Sequence, residues 1–557
     1  MGTLAVKIFR FLSDRRGNIA IAFGSFAFLL TAGSGVGIDM SRVVTEKSRL
    51  QSAADATALA ANYKSGTYTA EQIRQHAEAY FDGLYTAPER GSVSRNVTVG
   101  DGTISVEAGV TMPTFFAPLL GVEEISFAVM AESKVGTASF DVVLVLDNSG
   151  SMAGSRMTTL KQAASDLIRT LMSINEISTE DDRVMVGLVP FTAFVNIGAD
   201  KATQPWMDRE GRSPVHWTNF QTGSDGTPVP SLFSSSALVN GRPSRFSLYQ
   251  QLGGTDWLGC VEARPMPYDV TDDAADPDVP ASLYVPAFAP DEPDSSPDNR
   301  DGYRYSNNWL ADNAGACSLT AKQAAQVNIY DQGDSPIHGS LATREVAQGR
   351  LCKYRNQPKS YGTSSSQGPN FLCKTQPITD LTNDKQALLD AVAAMRADGY
   401  TNIHQGVVWG WRVLTPQEPF SRGRSPDQKR EKDHRRIMIV MTDGANTYQD
   451  KSSSHNRTEY NAYGYGTEQR LGSGIDTAGE IAAKMDERTA LACRNAATYE
   501  ATQVYTIAFQ VGDYATRKLL RDCASSPEMA FDAGSNSELV TAFERIGKEI
   551  SRLRLAR

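Results

Sequence analysis

Two separated segments of the chain carry residues whose types and spacing suit a cation site. Asp147, Ser149 and Ser151 occupy alternate positions directly after a nearly all-apolar run, and Asp443 follows a second apolar run at 437–441. Carboxylate and hydroxyl oxygens are the ligands that hard divalent cations prefer, and no His or Cys lies beside either acid. We therefore predict a site for Mg²⁺, with Mn²⁺ or Ca²⁺ as alternatives.

Neighbouring strands of a parallel sheet must bring these segments together. Runs that are almost wholly apolar are typical of central parallel strands covered on both faces. Open α/β sheets bind ligands beyond the carboxyl ends of their strands, so Asp147 and Asp443 are expected to meet there. Two such carboxylates repel one another unless a cation neutralises them. Thr401, at the start of a predicted helix, offers a further hydroxyl.

Each piece also has an ordinary structural interpretation. Asp147 and the two serines could cap the helix predicted at 157–173, Thr401 could be an N-cap, and Asp443 with the following glycine could form a turn. Their combination in this order favours the metal site. The chain lacks a G-x-S-x-G elbow, an H-E-x-x-H pair and a phosphate-binding P-loop, so no enzyme is predicted. His404 is expected to be a surface residue.

Alternating strands and helices from residue 138 predict an α/β domain with a mostly parallel sheet over 138–557. Strands are predicted at 142–146, 184–189, 437–441, 504–509 and 529–531, and helices at 157–173, 385–395, 403–414, 478–497, 517–523 and 537–553. The stretch 201–382 breaks this rhythm and is rich in Pro, Ser, Gly and Asn, so we interpret it as an insertion tied by its own disulfides. Its acidic part, 265–299, is expected to be a solvated face, and 447–477 another surface loop.

The amino-terminal part predicts a membrane anchor. Residues 17–38 contain no charge, and as a helix of about 1.5 Å per residue they would cross a bilayer. The basic segment 1–16 would stay cytoplasmic and the bulk would be extracytoplasmic; a cleaved signal peptide is the alternative. Residues 39–137 predict helices at 41–62 and 70–81 followed by a hairpin, a small α+β module. A net charge of -9 argues against nucleic acid as a partner.

The arrangement D-x-S-x-S, a later Thr and a later Asp resembles the von Willebrand factor A fold with its metal-ion-dependent adhesion site. The match runs residue by residue over Asp147, Ser149, Ser151, Thr401 and Asp443. The resemblance implies that the hydroxyls touch the metal and that the aspartates act directly or through water. It also implies an open coordination position for a carboxylate of a partner protein.

The start of the chain is similar to the TadE/TadG-like proteins of bacterial Tad (Flp-type) pilus assembly. The marks are "RRGN" before the apolar helix, "GIDMSR" after it, and "LQSAADATALAA" at 50–61. Related pseudopilins carry a Glu five residues into the helix, whereas this chain has none, which leaves processing after Gly17 open. A von Willebrand factor A-type domain behind such a start is typical of TadG-like proteins.

The cysteines fit an oxidising compartment. If Cys493 and Cys523 pair, they close a loop of about 30 residues and stabilise by roughly 3 to 4 kcal/mol. Cys260, Cys317, Cys352 and Cys373 then have three connectivities. The expected function is a scaffold in the bacterial inner membrane, anchored by 17–38, that binds a pilus or envelope component through the metal. A surface adhesin is the alternative, and a Mg²⁺-dependent hydrolase ranks below both.

Overall fold

The computed structural model describes residues 16–63, 70–100, 103–134, 139–177, 182–223, 225–253, 255–293, 305–311, 348–355, 366–425, 434–452 and 454–553. The chain divides into two compact units. The smaller is Met1–Thr137 with Ile550–Arg557, and the larger is Ala138–Glu549.

The smaller unit packs two helices on a three-stranded antiparallel sheet of order β1-β2-β3. Its elements are α1 Arg16–Tyr63, α2 Ala70–Leu84, β1 Ser92–Gly100, β2 Thr103–Pro113 and β3 Glu124–Lys134. Small buried residues on α1, such as Ala54 and Ala58, let the helix lie close to the sheet. The predicted helices and hairpin are confirmed, while residues 101–102, between β1 and β2, lie outside the described residues.

The helix α1 runs without a break through the segment 17–38 into the folded unit. None of the helices in the described part of the chain combines the length and the apolarity that crossing a membrane requires. The membrane span at 17–38 therefore stays a prediction.

The larger unit is built on one mixed sheet. Its strands are β4 Ser139–Asp147, β5 Val184–Phe191, β6 Val195–Asn196, β7 Cys260–Val261, β8 Thr379–Thr382, β9 His434–Thr442, β12 Gln503–Phe509 and β13 Ala530–Ala533. A separate two-stranded ribbon consists of β10 Asp450–Lys451 and β11 Arg457–Thr458. Its helices are α3 Ser155–Ile177, α4 Arg245–Leu252, α5 Lys385–Ala394, α6 Ile403–Leu414, α7 Ala478–Glu500, α8 Tyr514–Cys523 and α9 Asn536–Leu553.

The strand order confirms the predicted α/β class with a doubly wound sheet. The strands β13, β12, β9, β4 and β5 are neighbours in that order and all parallel. The strand β8 adds antiparallel to β5. Numbered in chain order, the path β8-β5-β4-β9-β12-β13 is 3-2-1-4-5-6, and its switch point falls between β4 and β9.

Both faces of the sheet are covered around this switch point. Successive side chains of a strand point to opposite faces, and Val143, Leu144, Val145 and Leu146 are all fully buried. Val143 and Val145 belong to the same core as the helix α6. The nearly continuous apolar run that predicted β4 therefore has its physical reason in this two-sided burial.

The predicted insertion 201–382 is part of the domain core. It contributes β7 and β8 to the sheet, and its Trp206, Trp217 and Phe288 lie in the same hydrophobic core as Val143. A disulfide joins Cys260 to Cys373 within it. Cys352 is also disulfide-bonded, and Cys317 lies outside the described residues. The predicted Cys493–Cys523 disulfide is present as well and joins α7 to α8.

Two expectations about exposed loops are wrong. In the acidic stretch, Asp273, Asp276 and Asp278 are exposed, but Asp269 and Glu292 are buried. Burial is tolerated because each has partners: Arg488 binds Asp269, and the backbone N–H of residue 307 donates to Glu292. The stretch 447–477 buries four tyrosines, namely Tyr448, Tyr460, Tyr463 and Tyr465.

Candidate metal site

The first part of the candidate site is the turn that follows β4. Asp147 ends the strand and is fully buried. The backbone N–H of Ser149 donates to Asp147 Oδ1 at 2.7 Å, which closes the turn. A short 3-10 helix, Gly150–Met152, then carries Ser151 to the surface. The helix α3 begins only at Ser155, so the capping interpretation of the two serines does not hold.

The second part lies at the end of β9, beside β4. The parallel register pairs Leu146 with Met441, which places Thr442 and Asp443 next to the β4 turn. Thr442 Oγ1 donates to Asp147 Oδ2 at 2.6 Å. Ser151 Oγ donates to Asp443 Oδ1, also at 2.6 Å. Four of the five predicted residues therefore meet at the switch point of the sheet.

The third part is the loop before α6. The N–H of Gly150 donates to the carbonyl of Gly399 at 2.9 Å, so this loop lies against the β4 turn. Thr401 is buried, and its hydroxyl would lie 3.9 Å from a Cβ added at Gly444, directly after Asp443. The N-cap of α6 is Asn402, which accepts from the N–H of residue 405. Thr401 is therefore not the cap, and the structure places it beside the other four residues.

The site has an excess of buried negative charge. Burial and, to a smaller extent, the nearby Asp443 carboxylate together raise the pKa of Asp147 to about 6, against the hydrogen bonds from Ser149 and Thr442. A cation already compensates part of this charge: Arg156 Nη1 lies 2.6 Å from Asp443 Oδ2. Its Nε donates to Gln510 Oε1 at 3.0 Å, at the end of β12.

The donor set fits a small hard cation. Ser149 Oγ and Ser151 Oγ are 3.0 Å apart, which is about the separation of adjacent ligands in an octahedron with bonds of about 2.1 Å. Within the described ranges, no three His, Cys, Asp or Glu side chains are grouped to hold a metal ion. A cation here would therefore depend on hydroxyl ligands from Ser149, Ser151 and Thr401 as well as on the two aspartates.

Sequence reasoning missed two residues and misplaced a third. Thr442 holds the inner oxygen of Asp147, and its position just before Asp443 could have indicated this. Arg156, one residue into α3, gave no signal because its partner Asp443 is 287 positions away. His404 is fully buried rather than at the surface, hydrogen-bonds Tyr463, and burial lowers its pKa to about 3.

Comparison with solved structures returns pilus proteins and von Willebrand factor type A structures. The vWF domain of the type V pili tip protein Mfa5 from Porphyromonas gingivalis is 9% identical, over 75% of this chain and 97% of that chain, with a TM-score of 0.32. The pilus adhesin SpaC from Lactobacillus rhamnosus GG is 12% identical over 83% of this chain, with a TM-score of 0.30. The match covers only 35% of SpaC. Because these TM-scores are low, the description of the fold rests on the strand order seen in this structure.

The amino-terminal segment has a family match of its own. No curated protein matches the chain significantly. Residues 17–63 match the family model described as Flp pilus-assembly TadE/G-like, named Tad. The chain thus carries a TadE/G-like segment in its first long helix, ahead of a doubly wound α/β unit with the D-x-S-x-S motif at its switch point.

Proposed function

We propose that this protein is a non-catalytic, cation-dependent binding component of Tad (Flp-type) pilus assembly. The TadE/G-like segment supports the pilus assignment. The observation that carries the binding function is the cluster of two carboxylates and three hydroxyls at the switch point, with only a partial counter-charge from Arg156. A Mg²⁺ ion that displaces Arg156 would balance the charge of the two carboxylates, and Mn²⁺ or Ca²⁺ would serve by the same donor set.

The residues of such a cation site would have different roles. Asp147 and Thr442 form its floor, because both are fully buried and hydrogen-bonded to each other. Ser149 and Ser151 turn their hydroxyls to one point above that floor. Gly150 and Ser151 are exposed, so this side faces an incoming partner. When bound, a divalent cation there would offer its positive charge and an open coordination position to a carboxylate of that partner.

His404, the histidine nearest in sequence to Thr401, is not placed to act as a general base. His404 is buried away from solvent against Tyr463, and its lowered pKa keeps it neutral. The buried hydroxyl of Thr442 is engaged by Asp147 and by the carbonyl of Gly444. This chemistry supports binding rather than hydrolysis.

The disulfides support an extracytoplasmic location for the larger unit. Cys260 pairs with Cys373 and Cys493 with Cys523, and no free cysteine occurs among the residues that the structure describes. Such bonds persist in oxidising compartments such as the bacterial periplasm. We place the protein in the bacterial inner membrane, with the uncharged segment 17–38 as its single span, residues 1–16 in the cytoplasm and the bulk outside.

Pilus counts in the native host test this function. A deletion strain would be complemented with the wild type, Ser151→Ala, Asp147→Ala or the control Thr158→Ala, an exposed residue of α3. We expect the deletion to lose its pili, the control to restore them, and both site variants to accumulate in the membrane without restoring them. Pili that persist in the deletion strain would contradict the role in assembly and favour a surface adhesin. Full restoration by both site variants would contradict the role of the cation.

A further inference from the structure

A loop of the smaller unit exposes an unusual amount of apolar surface. Phe115, Leu119, Leu120 and Val122 are 67%, 51%, 56% and 44% exposed. Leu119 and Leu120 belong to a short 3-10 helix, Ala117–Leu120, between β2 and β3, and Phe115 and Val122 lie on either side of it in the chain. We call residues 115–122 the apolar loop. Four neighbouring large apolar side chains in water are costly, so a partner surface is expected to cover them.

The apolar loop is fixed to the helix α1 at one height. The backbone N–H groups of Phe115, Phe116 and Ala117 donate to the carboxylate of Asp39 at 2.9, 2.8 and 2.9 Å. Asp39 is the first charged residue after the uncharged segment 17–38. The side chain of Asp39 is itself buried by this contact. The loop therefore lies where that segment ends.

Gly35 allows the loop to approach the helix. A Cβ added to Gly35 would lie 2.4 Å from the Cβ of Phe116, too close for any other residue. Gly33 and Gly37 have nothing within 4 Å of such an atom. The close contact therefore involves one glycine of the three, and it holds the ring of Phe116 against the last turns of the uncharged segment.

The helix α1 also exposes large apolar side chains within and at the end of the uncharged segment. Phe23, Phe26, Leu30 and Ile38 of α1 are all exposed. At the other boundary, the guanidinium of Arg42 lies 3.9 Å from the centre of the Phe115 ring. An aromatic ring beside a cation, just beyond an apolar helix, is the arrangement found where proteins meet lipid headgroups.

We propose that the apolar loop inserts into the outer interfacial layer of a lipid bilayer, next to the helix that crosses it. This inference rests on the proposed membrane anchor at 17–38. The lipid is the occupant because Asp39 holds the apolar loop at the end of that uncharged segment and because Arg42 lies beside the exposed Phe115 ring. The loop thereby sets the depth and tilt at which the folded part of the smaller unit leaves the membrane.

Spin labels on the full-length protein in phosphatidylethanolamine and phosphatidylglycerol vesicles test this placement. Single cysteines would be introduced as Leu119→Cys in the loop, Leu30→Cys in the helix and Met130→Cys as the control. Met130 is an exposed residue of β3 in the same unit. Collision with oxygen, which concentrates in lipid, is compared with collision with a water-soluble nickel chelate. We expect the oxygen-to-nickel ratio at 119 and at 30 to be several-fold higher than at 130.

The three labelled positions distinguish a failure of the inference about the loop from a failure of the membrane anchor. A water-like ratio at 119 with a lipid-like ratio at 30 would overturn the inference and leave the anchor standing. A label at 119 protected from both reagents would also overturn it, because a protein surface would then cover the loop. Water-like ratios at both 119 and 30 would overturn the anchor itself together with the inference.

Discussion

Two regions of the larger unit bury carboxylates but differ in how much positive charge surrounds them. At the sheet edge, Asp147 and Asp443 lie close together, and the part-exposed Arg156 pairs with Asp443. By contrast, Glu262 of the insertion pairs with two buried arginines, Arg245 at 2.5 Å and Arg470 at 2.6 Å. The hydroxyl of Tyr460 also donates to Glu262. The sheet-edge site therefore has too little positive charge to balance its carboxylates, whereas the network around Glu262 has enough.

The pKa values of the two carboxyls follow this difference. Burial raises both, but at Glu262 the arginines Arg245 and Arg470 outweigh burial and leave the pKa below its ordinary value. At Asp147 the nearest charge is another carboxylate, and the pKa rises to about 6. A network that balances its own charges needs no ligand, whereas a site left with excess negative charge is suited to a cation.

The largest expected effect comes from breaking the balanced network. Arg245→Ala leaves Glu262 buried with half of its compensation, so we expect the free energy of unfolding to fall by about 3 to 5 kcal/mol. Denaturant unfolding of the full chain measures it. The control Arg169→Ala removes an exposed ion pair with Asp166 and should cost no more than about 0.5 kcal/mol. Equal losses in the two variants would contradict the special role of the network.

Replacing one carboxylate of the edge site should act on cation binding instead. Asp147→Asn keeps an oxygen for the N–H of Ser149 but removes a negative charge. We expect Mg²⁺ affinity, measured by titration calorimetry, to fall by about 100-fold or more. The metal-free variant should be no less stable than the metal-free wild type, because the substitution removes a buried negative charge that the Asp443 carboxylate repels. A variant that binds Mg²⁺ as tightly as the wild type would contradict the site.

The sequence predicted the edge site far better than the network, for a physical reason. Asp147, Ser149 and Ser151 lie within five residues, and the apolar strand before them shows where they stand in a sheet. The partners Glu262 and Tyr460 are 198 positions apart. No periodicity marks their segments, because their burial depends on side-chain pairs that only the folded chain brings together. The Pro, Ser, Gly and Asn content of 201–382 indicated an insertion but did not indicate which of its side chains enter the core.

A pH dependence should reveal a second buried carboxyl of the insertion. Burial raises the pKa of Glu292 to about 7 from 4.5, although Asn307 and Asn456 donate to it. The unfolded state then binds fewer protons between these values, so the free energy of unfolding falls as pH rises from about 4.5 to 7. Glu292→Gln should remove about 2.5 kcal/mol of this fall. Melting curves across this range measure it, and an unchanged slope would contradict the assignment.

The smallest expected effect concerns the arginine of the edge site. Arg156 occupies Asp443 Oδ2, so a cation has to compete with its guanidinium. Arg156→Gln should raise Mg²⁺ affinity by about tenfold, equivalent to about 1.4 kcal/mol, while Arg156→Lys should change it less. Calorimetry of the three proteins compares them. A loss of affinity in Arg156→Gln would mean that Arg156 supports the cation rather than competing with it.

The most direct test of the cation site is anomalous diffraction from crystals of the protein grown with Mn²⁺. The account predicts an anomalous peak between Ser149 Oγ, Ser151 Oγ and the two aspartates, with the guanidinium of Arg156 moved away from Asp443. Crystals of Asp147→Asn grown in the same way should lack the peak. Manganese bound elsewhere, with the Arg156–Asp443 ion pair intact and the sheet edge empty in the wild type, would contradict the central claim.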